Sequence, residues 1–134
     1  MAGRDEFLAH VLDLLAPLGG VDARRMFGGY GLYCGDVFFG ILLDNTLYLK
    51  ADDQNRRDFE RAGSEIFSYA RAGKHATLNF YRAPEEAMDT SLVMLPWARS
   101  SVAAALRSRA AKPASRKRPA RKRVRTAGSR SRRR

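Results

Sequence analysis

The stretch Arg24 to Lys50 reads RRMFGGYGLYCGDVFFGILLDNTLYLK. Its apolar residues recur with a period of two, the spacing of a strand whose side chains alternate between two faces. Residues 24–34 form one strand in this reading, loosened at Gly28-Gly29 where a bulge or kink is expected. Gly35-Asp36 turns the chain. Val37 to Leu43 is a second strand, apolar on both faces apart from Gly40, which places it inside a sheet. Asp44-Asn45 suits a tight hairpin turn that needs positive φ. Thr46 to Lys50 returns as a third strand. Three strands joined by two-residue turns make an antiparallel meander.

The flanks supply helices. Phe7, Val11, Leu14, Leu15 and Leu18 share one face of a helix over residues 5–16, stopped by Pro17 and Gly19-Gly20. Asp52 is placed to cap a helix over about residues 53–62, and Gly63 to end it. Ile66 to Tyr69 and Ala76 to Arg82 read as two strands joined by a turn at Gly73. Pro84-Glu85-Glu86 reads as the first turn of a short helix, with proline at N1 and acids at the positive end of its dipole. Pro96 is read as opening a last helix, 96–110, burying Trp97, Val102, Ala105 and Leu106. The order α-βββ-α-ββ-α predicts an α+β fold: a single two-layer domain on an antiparallel sheet. No internal repeat is present.

The chain has 134 residues, 45% of them apolar, enough for one domain with a core of its own. Its net charge is +11, from 25 Lys+Arg against 14 Asp+Glu. The excess sits at one end. Lys112, Arg116, Lys117, Arg118, Arg121, Lys122, Arg123, Arg125, Arg130, Arg132, Arg133 and Arg134 lie in a segment without a carboxylate. Residues 1–110 hold the remaining 13 basic residues against all 14 acidic ones, a net charge of −1. The division is therefore a globular domain over 1–110 and a Lys/Arg-rich tail over 111–134. The tail's composition cannot bury enough apolar area to offset the entropy of ordering, so it is expected to be disordered when free. Arginine and lysine neutralise phosphates and release counterions, so nucleic acid is the partner expected for the twelve tail cations. Duplex DNA is favoured, because the tail has no aromatics to stack on unpaired bases. A solubilising tail, a membrane tether and a targeting signal are the competing readings.

Other motifs read as structural. Cys34 is the only cysteine, which excludes an internal disulfide and a Cys-type zinc site and fits a reducing compartment. His10 and His75 lie on different elements without metal-ligand spacing. Cys34 shares a strand face with Tyr30 and Leu32, which suits a buried, inert thiol better than a nucleophile paired with His75. Gly28, Gly29, Gly31, Gly35 and Gly40 form neither a phosphate loop nor a dinucleotide fingerprint. Arg24 and Arg25 must face opposite sides of the sheet. Asp52, Asp53, Asp58 and Glu60 alternate with Arg56, Arg57 and Arg61 and read as a solvated helix face. No metal, cofactor or membrane span is expected. A small enzyme is disfavoured, and the N-terminus does not read as a signal peptide, so a cytoplasmic location is expected.

The residues Arg25-Met26-Phe27-Gly28-Gly29-Tyr30-Gly31-Leu32-Tyr33 resemble the opening signature of the TfoX N-terminal domain family, the bacterial competence regulators also called Sxy. Gly35-Asp36-Val37-Phe38-Phe39-Gly40, Thr46 to Lys50, Tyr81 to Glu86 with Pro84, and Leu95 to Arg99 with Pro96 and Trp97 continue it in order. The resemblance spans about residues 7–107. It implies an α+β fold similar to secretion-chaperone-like domains and a non-enzymatic role in transcription. It carries no catalytic residues. Full regulators of this kind have a second folded domain where this chain has its tail, which resembles histone-H1-like tails. The expected function is a DNA-associated, nucleoid-located regulator with a sequence-blind tail. A transcription activator or RNA polymerase component, and a second copy in a homodimer, are the candidate protein partners. The competing expectation is a protein-interaction or chaperone-like module, with Tyr30, Tyr33, Phe38 and Phe39 in an exposed patch and the tail only tethering or solubilising.

Overall fold

The computed structural model describes residues 2–26, 28–71 and 73–111. The chain opens with α1 (Ala2–Leu15) and a 3-10 helix, Ala16–Leu18, that carries Pro17. Strands β1 (Val21–Met26), β2 (Gly29–Cys34), β3 (Val37–Leu43) and β4 (Thr46–Lys50) follow as a meander. Helix α2 (Arg56–Arg61) leads to β5 (Ile66–Arg71) and β6 (Lys74–Arg82). A 3-10 helix, Glu85–Met88, precedes α3 (Ser91–Ala111). The six strands form one sheet in the order β1-β2-β3-β4-β6-β5, with every neighbouring pair antiparallel. The α+β fold expected from the sequence is present.

Four strands, not three, precede α2. The segment read as one loosened strand is a hairpin: Met26 pairs with Gly29, and Gly28 has φ +77°. The Asp44-Asn45 turn has φ +51° and +55°, the left-handed geometry that matches strand twist in a two-residue hairpin. Gly63, at φ +78°, closes α2: its N–H reaches the Glu60 carbonyl at 3.0 Å and that of Ser64 reaches the Phe59 carbonyl at 3.0 Å. These paired bonds satisfy carbonyls left free at the helix end.

The α2 start and the α3 start differ from expectation. The Asp52 carboxylate accepts the N–H groups of Gln54 and Asn55 at 3.0 and 3.2 Å, so it caps the turn ahead of α2, which begins only at Arg56. Helix α3 begins at Ser91, where Thr90 Oγ1 accepts the Val93 N–H at 3.2 Å, and Pro96 lies inside it. Trp97, Val102 and Ala105 pack inward as expected, but Leu106 is 48% exposed. Starting the helix five residues earlier does not change the face on which each residue falls.

The helices cover one sheet face. Val11, Leu14 and Leu15 of α1, Phe59 of α2, and Met94, Ala98 and Ala105 of α3 pack on Leu32, Phe39, Leu42, Leu47, Leu49 and Tyr81. A register shift between Leu32 and Tyr33 leaves Phe39 without an opposite residue. Phe39 and Gly40 therefore both face the helices, and the alternation then resumes with Ile41 on the other side. The bulge thus sets which of β3's apolar residues face the helices and which face away. On the far face Ile41, Phe67 and Phe80 form a second, smaller buried cluster.

Candidate functional site

The residues singled out by the sequence fall into three places. Arg25, Met26, Gly28, Gly29 and Gly31 lie on the β1–β2 hairpin; Phe27 lies outside the described residues. Pro84 is buried ahead of the 3-10 helix, with φ −57° and ψ 145°. Pro96 and Trp97 lie on α3. The twelve tail cations, Lys112 to Arg134, lie outside the described residues.

The hairpin glycines are set by close packing. A Cβ on Gly29 would stand 2.0 Å from the Leu42 carbonyl oxygen. A Cβ on Gly31 would meet the Met26 methyl at 2.6 Å and the Phe38 ring at 3.0 Å. Met26 thus lies across Gly31 on the face away from the helices. Arg24 and Arg25 diverge as strand geometry requires: the Arg24 guanidinium sits 4.2 Å from the Tyr33 ring centre, and that of Arg25 sits 5.8 Å from the Tyr30 ring centre.

Trp97 packs on Phe59 at 5.0 Å between ring centres, and Phe59 stacks on Tyr81 at 5.4 Å. Burial, reinforced by Glu60, raises the Tyr81 hydroxyl above the usual tyrosine range. An open groove of about 440 Å³ between α2 and α3 is lined by Asp58, Arg61, Ala62, Pro96, Trp97 and Ser100. Below it, buried Asn55 accepts the Asp52 N–H at 2.7 Å and donates to Lys50 O at 3.2 Å and Ser100 Oγ at 3.0 Å. Arg107 grips Asp52 with two bonds, 2.6 and 2.9 Å, and holds its carboxyl below the usual range. No sequence signal points to this pair, whose members are 55 residues apart. The other α2 charges pair locally: Asp53–Arg56 at 3.4 Å, Arg56–Glu60 at 3.9 Å and Asp58–Arg61 at 3.4 Å.

His10 and His75 are not brought together; His10 Nε2 lies 2.7 Å from the Met88 carbonyl. Cys34 is half-buried and its thiol donates weakly to Gly19 O at 3.5 Å. Among the described residues no group of three His, Cys, Asp or Glu converges to hold a metal ion. None of the described helices is long and apolar enough to cross a membrane. The expected patch of Tyr30, Tyr33, Phe38 and Phe39 does not form. Phe39 is fully buried and Tyr30 faces the helices, because the β3 bulge turns Phe39 inward, while Tyr33 and Phe38 stack at 5.2 Å on the opposite face.

These features define a class: an antiparallel sheet backed on one face by helices, built around a glycine-packed hairpin and an α3 tryptophan. The TfoX N-terminal domain family matches residues 13–105, and the chain belongs to that family. It is 31% identical over 97 residues to Protein Sxy of Escherichia coli (strain K12), covering 72% of this chain and 46% of that protein. It is 34% identical over 68 residues to DNA transformation protein TfoX1 of Aliivibrio fischeri (strain ATCC 700601 / ES114), covering 51% of this chain and 32% of that protein. The chain therefore spans less than half the length of these curated relatives.

Proposed function

We propose that the protein is a non-enzymatic, DNA-associated regulator of the TfoX type, held on the nucleoid by its C-terminal segment. The family relation supports the regulatory reading, as does the DNA-transformation role in one relative's name. The observation that carries the DNA contact is the charge partition: twelve cations and no carboxylate in residues 111–134, beside a domain of net charge −1. Phosphate contacts of this kind position a protein without reading sequence. The folded domain is then free to engage a protein partner, a transcription activator or polymerase component, or a second copy of itself.

The test is duplex binding by the full chain and by a full-length variant with the twelve tail cations changed to glutamine. If the tail meets about 6–10 phosphates, native affinity falls about 10³–10⁵-fold between roughly 50 and 200 mM salt. The neutralised variant should lose most duplex affinity and most of that salt dependence. Duplex binding retained in full by the variant overturns the proposal.

A further inference from the structure

The sheet face turned away from the helices combines rings with cations. Strand register sets its membership: Arg24 lies opposite Gly31, Lys50 opposite Phe80, and Tyr48 opposite Arg82. Paired residues of antiparallel strands share a face. Tyr33, Phe38 and Tyr48 are half-buried there, and Tyr69 is 38% exposed. Their rings form two runs. Tyr33, Phe38 and Phe80 are spaced 5.2 and 5.4 Å apart, and Tyr48, Phe67 and Tyr69 are spaced 4.8 and 6.2 Å apart.

Cations stand among the rings. Arg24 covers Tyr33, and the Lys50 ammonium sits 5.2 Å from the Phe80 ring centre. Arg82 and Lys74 are exposed. Asp22, 3.6 Å from Arg24, is the only carboxylate in the six strands; Glu65 borders the patch just ahead of β5. Other acids of the domain lie at Glu6, Asp13, Glu85, Glu86 and Asp89, and at Asp44 in the β3–β4 turn. A domain of net charge −1 thus keeps a cationic sheet face.

We infer that this face binds single-stranded nucleic acid. Each base offers a π-face to a ring and each phosphate an anion to a neighbouring cation, and a partner carrying both at short repeat fits this surface. A duplex hides its base faces, so the rings discriminate between the two forms. This site is separate from the tail proposed above, and either can fail alone.

The test uses the full chain with the tail cations changed to glutamine, titrated with a labelled oligothymidylate and with a duplex of equal length. Preference for the single strand is the expected result. Y33A together with Y48A should weaken single-strand binding about tenfold or more, the loss of stacking on one or two bases. Should that variant fail to fold by circular dichroism, K74E with R82E, both at exposed positions, must produce the same loss. Cross-linking of 4-thiothymidine oligonucleotides should map to Tyr33, Tyr48 or Tyr69. Equal affinity for both forms, or single-strand affinity unchanged by a folded variant, overturns the inference, as does capture of an acidic peptide in preference to the oligonucleotide.

Discussion

At Gly29 the obstacle to any side chain is the Leu42 carbonyl oxygen, 2.0 Å from where a Cβ would stand. Backbone cannot swing aside as a side chain can, so β2 and β3 would have to separate. At Gly31 the nearest atom, at 2.6 Å, is the terminal methyl of Met26, which has three torsions to yield. Gly29→Ala should therefore cost at least about 3 kcal/mol, the upper range for overpacking, and Gly31→Ala about 1 kcal/mol. Urea unfolding of the two variants checks the order, and equal costs would refute the packing argument. Ser101 offers the opposite case. Its hydroxyl is fully buried in α3 without a hydrogen-bond partner, so Ser101→Ala should be neutral or stabilise by about 1 kcal/mol. A clear fall in Tm would mean that the hydroxyl is satisfied in solution.

Between elements, the Asp52–Arg107 pair fastens α3 to the turn that launches α2. The Arg107 bond is the chief cause of the lowered Asp52 carboxyl, and the Asn55 and Gln54 N–H groups add to it. A carboxyl lowered on folding contributes stability above its unfolded value, near 3.9, and loses it as pH falls through the folded value. Asp52→Asn should cost about 1–2 kcal/mol at pH 7, toward the low end because the Arg107 side chain is 35% exposed. Denaturant melts at pH 7 and pH 3 should show the gap from the native chain shrinking in acid. A gap constant with pH would remove the ion pair from the account. Such long-range pairs are invisible in sequence, whereas local signals were legible. The Asp44-Asn45 turn, the Gly63 stop and the face of α1 all follow from residues within one or two turns of chain. Gly28-Gly29 fits both a bulge and a hairpin turn, and only the pairing of β1 with β2 separates them. Pro96 suggested a helix start because proline suits N1, but Thr90 supplies the cap, and an exposed helix surface tolerates the proline six residues later.

For the molecule as a whole, charge is divided by segment: a domain of net charge −1 whose open sheet face carries more cations than acids, and a dense run of cations past α3. The tail's charge was readable from composition alone. The sheet face was not, because its rings and cations come from six strands and the β3 bulge decides which residues reach it. The two surfaces should carry different salt signatures. A duplex held by all twelve tail cations would give a slope of log K against log salt of about −11, and partial engagement proportionately less. A single strand on the sheet face, neutralised by Arg24, Lys50, Lys74 and Arg82, should give about −3, since single strands release fewer counterions per contact. Measured on the full chain with the tail changed to glutamine, the single-strand slope should stay near this shallow value while the duplex slope collapses. A single-strand slope that collapses with it would assign all nucleic-acid affinity to the tail and leave the sheet face without a ligand of this kind.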